Sequence, residues 1–229
     1  MTGRDLKLAR KQRGWSQEQA AHKLGVSQPY LSLLEGGRRR VTDRLAQRAV
    51  KVYGLPADLL PVKLKLEKVC PPAPDSLAAD LAALGYPGFS YLRPRRKKNP
   101  VEVLLSALSA PDLESRLTEA LPWVLLEYPR LDWETLTKVA KANDLQNKLG
   151  MVTSVARKLA ERRGEHDKAR LLTEKEATLG RSRLLSQGTL CHESLTGVER
   201  RWLQSHRPAG ARHWRLLTDL SPEHLSHAA

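Results

Sequence analysis

The chain has 229 residues, enough for two helical domains, with 39 Lys and Arg against 25 Asp and Glu and a formal net charge of +14. No stretch approaches the ~18 consecutive apolar residues of a membrane-spanning helix, and the basic start MTGRDLKLARKQRGWSQ lacks the apolar core of a secretory signal. Two cysteines, Cys70 and Cys191, are too few for a disulfide scaffold and fit a reducing compartment, so a cytoplasmic location is expected. The charge is unevenly placed. Residues 1–100 hold 20 basic and 8 acidic side chains, whereas residues 101–229 hold 19 and 17. A polyanionic partner should therefore meet the N-terminal portion. Apolar residues recur at helical spacing and no run alternates as a strand would, so an all-α fold is expected.

Residues 1–68 read as a dense basic helical unit. A first helix begins near Gly3, buries Leu6 and Ala9, and ends at Gly14. Ser16 caps a second helix, with Gln19 as its capping-box partner, and Ala20, Ala21 and Leu24 face inward. Gly25 permits a tight turn that Val26 anchors. Ser27 then caps a third helix, which points Leu31 and Leu34 to the core and stops at Gly36 and Gly37. Two short helices joined by a tight glycine turn make a helix-turn-helix, whose second helix enters the DNA major groove.

Residues 4–55 resemble the lambda-repressor-like helix-turn-helix family of the Cro and xenobiotic-response-element type. The resemblance rests on LARKQRGWSQEQAAHKLGVSQPYLSLLEGG and on the continuation VTDRLAQRAVKVYGLP. It implies a compact bundle of about five helices that binds double-stranded DNA as a dimer on near-palindromic sites. It also implies that Gln17, opening the second helix, contacts a phosphate, and that Arg10 and Glu35 form a buried ion pair between helices one and three.

The geometry of a helix in the major groove assigns the remaining roles. Gln28, Pro29, Ser32 and Leu33 lie on the outward face of the helix that Ser27 caps. Gln28 can pair bidentately with adenine, and Leu33 can pack on a thymine methyl. Pro29 offers only apolar contact, having no backbone donor. Tyr30 either reaches a phosphate or covers the edge of the core. Arg38, Arg39 and Arg40 follow the helix and should reach the DNA backbone, which positions a protein without reading sequence.

A Pro- and Gly-rich connector follows over 69–100, with a short helical patch SLAADLAAL and the basic run Arg95, Arg96, Lys97 and Lys98. That run is either a solvated linker or a second DNA contact. Residues 101–229 read as a second, near-neutral helical domain for dimerisation, sensing or binding a protein partner. In it, Leu113, Leu117 and Leu121 form a stripe that Pro122 ends or kinks. Asp132 caps the next helix, with Leu131 and Leu136 as a staple. Leu145, Leu149, Val152 and Leu159 form another stripe, closed by Arg162, Arg163 and Gly164. Thr196 and Glu199 match a capping box, and Ser221–Pro222 a helix start. Residues 131–164 also match a second helix-turn-helix around Asn143–Asp144, against which the near-zero charge argues.

No cofactor or metal is expected, because Cys191, His192, His206 and His213 are too loosely spaced for a zinc site. Trp123, Trp133, Trp202 and Trp214 are expected in the C-terminal core, and Arg157, Lys158, Arg162 and Arg163 on a solvated face. The sequence thus reads as a non-enzymatic, sequence-specific transcriptional regulator, a repressor binding an operator as a dimer. The alternative is a DNA-binding antitoxin or defence-module regulator whose C-terminal domain binds a protein. An enzyme would need Cys191, His192 and His213 to converge.

Overall fold

The computed structural model describes residues 1–64, 68–73, 75–93 and 96–225. They form two compact units, one made of Met1–Val62 with Arg96–Asn99, the other of Lys63–Arg95 with Pro100–Ala229. The connector read over 69–100 is thus divided between the units. Its SLAADLAAL patch buries Leu77, Leu81 and Leu84, which draws it into the second unit's core. Pro74, Pro94 and Arg95 lie outside the described residues.

The first unit begins with α1 (Gly3–Gln12), α2 (Gln17–Leu24), α3 (Gln28–Glu35) and α4 (Asp43–Tyr53). A single 3-10 turn, Ala57–Leu59, stands as the fifth helix of the expected bundle. Each start is set by local hydrogen bonding. Thr2 with Asp5, and Ser16 with Gln19, form reciprocal capping boxes that satisfy the orphan N–H groups of α1 and α2. The Ser27 hydroxyl accepts from the Tyr30 N–H at 3.3 Å to open α3, and Thr42 caps α4 in the same way. Gly25, at φ +61°, makes the left-handed bend between α2 and α3.

Leu6, Leu24, Leu31 and Leu34 are fully buried in this unit and pack with Ala9, Ala20, Ala21, Leu45, Ala49 and Tyr53. Burying a leucine side chain contributes about 1.5–3 kcal/mol, so these four supply a substantial share of the hydrophobic stabilisation of so small a bundle. The start of α1 lies so close to the end of α3 that a Cβ on Gly3 would fall 1.8 Å from the Leu34 carbonyl oxygen. Only glycine allows that approach.

The second unit comprises α5 (Ser76–Leu84), a 3-10 turn at Pro87–Phe89, α6 (Pro100–Ser109), α7 (Ser115–Glu127), α8 (Trp133–Ala142), α9 (Gln146–Arg162), α10 (His166–Gly180), α11 (Gly197–His206) and α12 (Ala209–His213). Among the described residues, a two-residue parallel pair, β1 (Gly188–Thr189) with β2 (Leu216–Leu217), and one antiparallel bridge, Asp112 with His192, are the small exceptions to an all-α fold. Ser221–Pro222 opens only a 3-10 turn, Pro222–His224. Central α9 is buried at Gln146, Asn147, Leu149 to Ala156, Leu159 and Ala160 and packs against α7, α8, α10 and α12. A helix covered on nearly every side has no outward reading face. The turn at Asn143–Asp144 therefore joins two core helices, and 131–164 is not a second DNA-reading motif.

Three expectations for this unit change. Helix α7 runs through Pro122, so of the two outcomes read for that proline, ending or kinking the helix, the first does not occur. The missing hydrogen bond costs about 3 kcal/mol, which the burial of Leu117, Leu121, Trp123, Val124, Leu125 and Leu126 offsets. Arg157 is not simply solvated, because its guanidinium bonds Glu176 at 2.7 Å and Glu161 at 2.6 Å, tying α9 to α10. Trp123, Trp133 and Trp214 are buried as expected, but Trp202 is 52% exposed and stacks on His206 at 4.7 Å. The only buried side chain of α11 is Leu203, one turn-face away from Trp202, so the indole is left on the outer side.

Candidate nucleic-acid interface

The outward side of α3 is built by what its inward side must do. Leu31 and Leu34 take the core positions, which leaves Gln28, Pro29 and Ser32 exposed on the opposite face. Pro29 occupies the first turn, where its missing N–H removes no helical hydrogen bond. Leu33 is half-buried and not fully outward. Its carbonyl accepts from the backbone N–H groups of Arg38 at 2.9 Å and Arg39 at 3.2 Å, so the chain reverses at the end of α3. Tyr30 is half-buried and packs against the core.

Arg38, Arg39 and Arg40 are all exposed just past Gly37, whose φ of +74° turns the chain. Their side chains make no hydrogen bond or ion pair among the described residues. Three unneutralised guanidinium groups at the end of α3 form a compact anion-attracting edge.

A polar relay runs from the interior to the outward face. Arg10 donates to both carboxylate oxygens of Glu35, from Nε at 2.7 Å and Nη2 at 2.9 Å, and from Nη1 to the Trp15 carbonyl at 3.0 Å. The Glu35 side chain is only 2% exposed. Burial pushes its carboxyl up, but the hydrogen bonds from Arg10 and Gln17 outweigh that and hold it below the usual glutamate range. Gln17 Nε2 donates to Glu35 Oε2 at 3.0 Å, and Gln17 Oε1 accepts from Gln28 Nε2 at 2.9 Å. Tyr53 lies against the pair, and burial pushes its phenol up to about 12.

The structure thus spends Gln17 on two internal partners, beyond the phosphate role that the resemblance implies. The contact fixes the Gln28 amide and leaves its carbonyl oxygen and one N–H open. Those are the two groups a bidentate adenine contact needs.

Sequence reasoning missed the basic side of α4. Arg44 and Arg48 line an open depression together with Gly25, Val26, Tyr30, Thr42 and Leu45. Arg48 Nη1 donates to the Leu24 carbonyl at 2.7 Å and so caps the end of α2. The i, i+4, i+7 spacing of Arg44, Arg48 and Lys51 carried that signal.

Cys191, His192 and His213 do not converge. Cys191 and His192 line one cleft with Leu113, Thr118, Glu119, Leu217 and Asp219, without His213. His213 Nδ1 lies 3.2 Å from the Arg183 guanidinium. The Cys191 thiol is buried, donates to the Ala107 carbonyl at 3.4 Å, and is pushed by desolvation up to about 11. Such a thiol stays protonated at neutral pH. Among the described residues no cluster of His, Cys, Asp and Glu is grouped to hold a metal ion. Likewise, no helix is long and apolar enough to cross a membrane.

Residues 6–60 match the helix-turn-helix family, whose members are DNA-binding transcriptional regulators. The match runs from within α1 through the Ala57–Leu59 turn and includes none of α5 to α12. No curated protein and no solved structure matches the chain.

Proposed function

We propose that the protein is a sequence-specific transcriptional regulator, a repressor that binds an operator as a dimer through α3. One observation carries the reading: Gln28, Pro29 and Ser32 are exposed on one face of α3, and three unpaired arginines stand at its end. Gln28 and Ser32 read base edges, Pro29 and the remaining exposed part of Leu33 supply apolar contact, and Ser27 sets the start of the helix. Gln17 orients Gln28 from behind, and Arg38, Arg39 and Arg40 grip phosphates. One unit presents one such helix, so two copies fit half-sites about one helical turn apart. A regulator of this kind works in the cytoplasm, where the DNA is.

The test is an affinity profile over a panel of operator variants drawn from the promoter of its own operon. Gln28→Ala should lose roughly 1–3 kcal/mol of discrimination at one base pair. Arg38→Ala or Arg39→Ala should weaken all duplexes about equally. Identical profiles for the two kinds of variant would contradict the assignment.

A second reading, an antitoxin or defence-module regulator whose residues 101–229 hold a protein partner, is favoured by α11. That helix exposes Val198 at 67% and Trp202 at 52%, one turn apart. Exposed apolar patches of this kind mark interaction sites. Co-purification with the product of the adjacent gene, lost on Trp202→Ala, is the outcome that would favour it.

A further inference from the structure

The chain leaves the first unit at Val62 and returns to it for four residues, Arg96–Asn99. That return is firmly anchored. Asn99 is 2% exposed, and its Nδ2 donates to the Asp58 carbonyl at 3.1 Å and the Leu60 carbonyl at 2.6 Å. Gln47 Nε2 on α4 donates to the Lys97 carbonyl at 2.6 Å. A buried amide satisfying two carbonyls of the turn after α4 leaves little freedom to the residues just before it.

Those residues are cationic. Arg96 and Lys98 are exposed and Lys97 is half-buried. Their anchor, Gln47, sits on α4 three residues after Arg44 and four before Lys51, so it is a surface neighbour of both. Arg44, Arg48 and Lys51 form one stripe, and Arg44 and Arg48 share a depression with Tyr30 of α3. The returning segment therefore lies beside a cationic surface that begins at α3. The acids of α4 and its following turn are Asp43 and Asp58 alone.

We propose that Arg96 and Lys97, clipped to α4 by Gln47 and to the turn after it by Asn99, form a strap that contacts the phosphate backbone of duplex DNA next to the groove occupied by α3. The strap widens the electrostatic footprint without reading bases. It rests on the DNA-binding reading above. A clip that only closed the fold would have no bearing on salt-dependent binding.

The experiment measures binding of the full chain to a labelled duplex of mixed sequence over a range of salt. Each phosphate contact contributes about 0.9 to the slope of log K against log salt. The double variant Arg96→Ala/Lys97→Ala should lower the slope by about two. Its ratio of operator to mixed-sequence affinity and its thermal melt should be unchanged. Gln47→Ala keeps both cations but releases their anchor, and should lower the slope part of the way. A double variant with the parent slope overturns the strap and leaves the regulator reading intact. If Gln47→Ala matches the parent while the double variant does not, the clip does not position the cations, and the strap as described is overturned. A parent chain that binds no duplex sinks both readings.

Discussion

Glu35 is where the stability and the recognition surface of the first unit meet. Its carboxylate accepts two hydrogen bonds from Arg10 and one from Gln17, and Gln17 in turn holds Gln28. Removing one partner of a buried pair leaves the other charge uncompensated, at a cost of about 3–5 kcal/mol. Glu35→Ala should therefore lose stability in that range in urea unfolding, while pairing it with Arg10→Met should recover part of the loss. The acid limb follows from the lowered carboxyl. Unfolded glutamate titrates near ~4.3, so the unfolded chain takes up the proton first as pH falls. The pair's contribution is complete above that value and is lost as pH drops through the lower native one. Unfolding free energy measured below about pH 4.3 should fall more steeply in the parent than in Glu35→Gln; equal slopes would contradict the assignment. The pair itself was legible only through the family resemblance, because no local spacing joins residue 10 to residue 35. The Gln17–Gln28 bond was not legible at all, since it depends on the crossing of α2 and α3.

At the scale of elements, helix α9 supplies a case in which packing and propensity pull in opposite directions. Replacing a mid-helix glycine with alanine ordinarily gains about 1 kcal/mol. A Cβ at Gly150, however, would meet the Trp214 ring at 2.4 Å, and Trp214 is fully buried. Overpacking of that kind costs about 1–3 kcal/mol and sometimes more, so the clash should win. Gly150→Ala is expected to lower the melting temperature and to perturb the near-ultraviolet dichroism of Trp214. A rise in melting temperature would show that α12 yields. The sequence could not announce this contact, which joins residues far apart in the chain. It did announce the caps at Ser16, Ser27, Asp132 and Thr196, because a cap is a bond across three residues. The same distinction accounts for the misplaced elements. Pro122 breaks a local bond that tertiary burial outweighs, Leu33 lies where the chain reverses after α3, and Trp202 faces outward because Leu203 takes the inward place.

For the whole molecule, the placement of charge matters more than its total. The first 100 residues hold 20 basic and 8 acidic side chains, against 19 and 17 in the rest. The salt slope of binding counts the phosphates that a protein's cations neutralise, not its total charge. Removing two positive charges should then have unequal effects depending on the unit that loses them. Arg39→Ala/Arg40→Ala takes them from the end of α3 and should lower the salt slope of DNA binding by nearly two. Lys138→Ala/Lys141→Ala takes the same charge from the exposed side of α8, beside Glu134, and should leave the slope close to the parent's. The comparison holds net charge constant between the two variants, so any difference reports contact and not overall attraction. Equal drops would mean that the net charge of the chain, and not the edge beside α3, governs its hold on DNA.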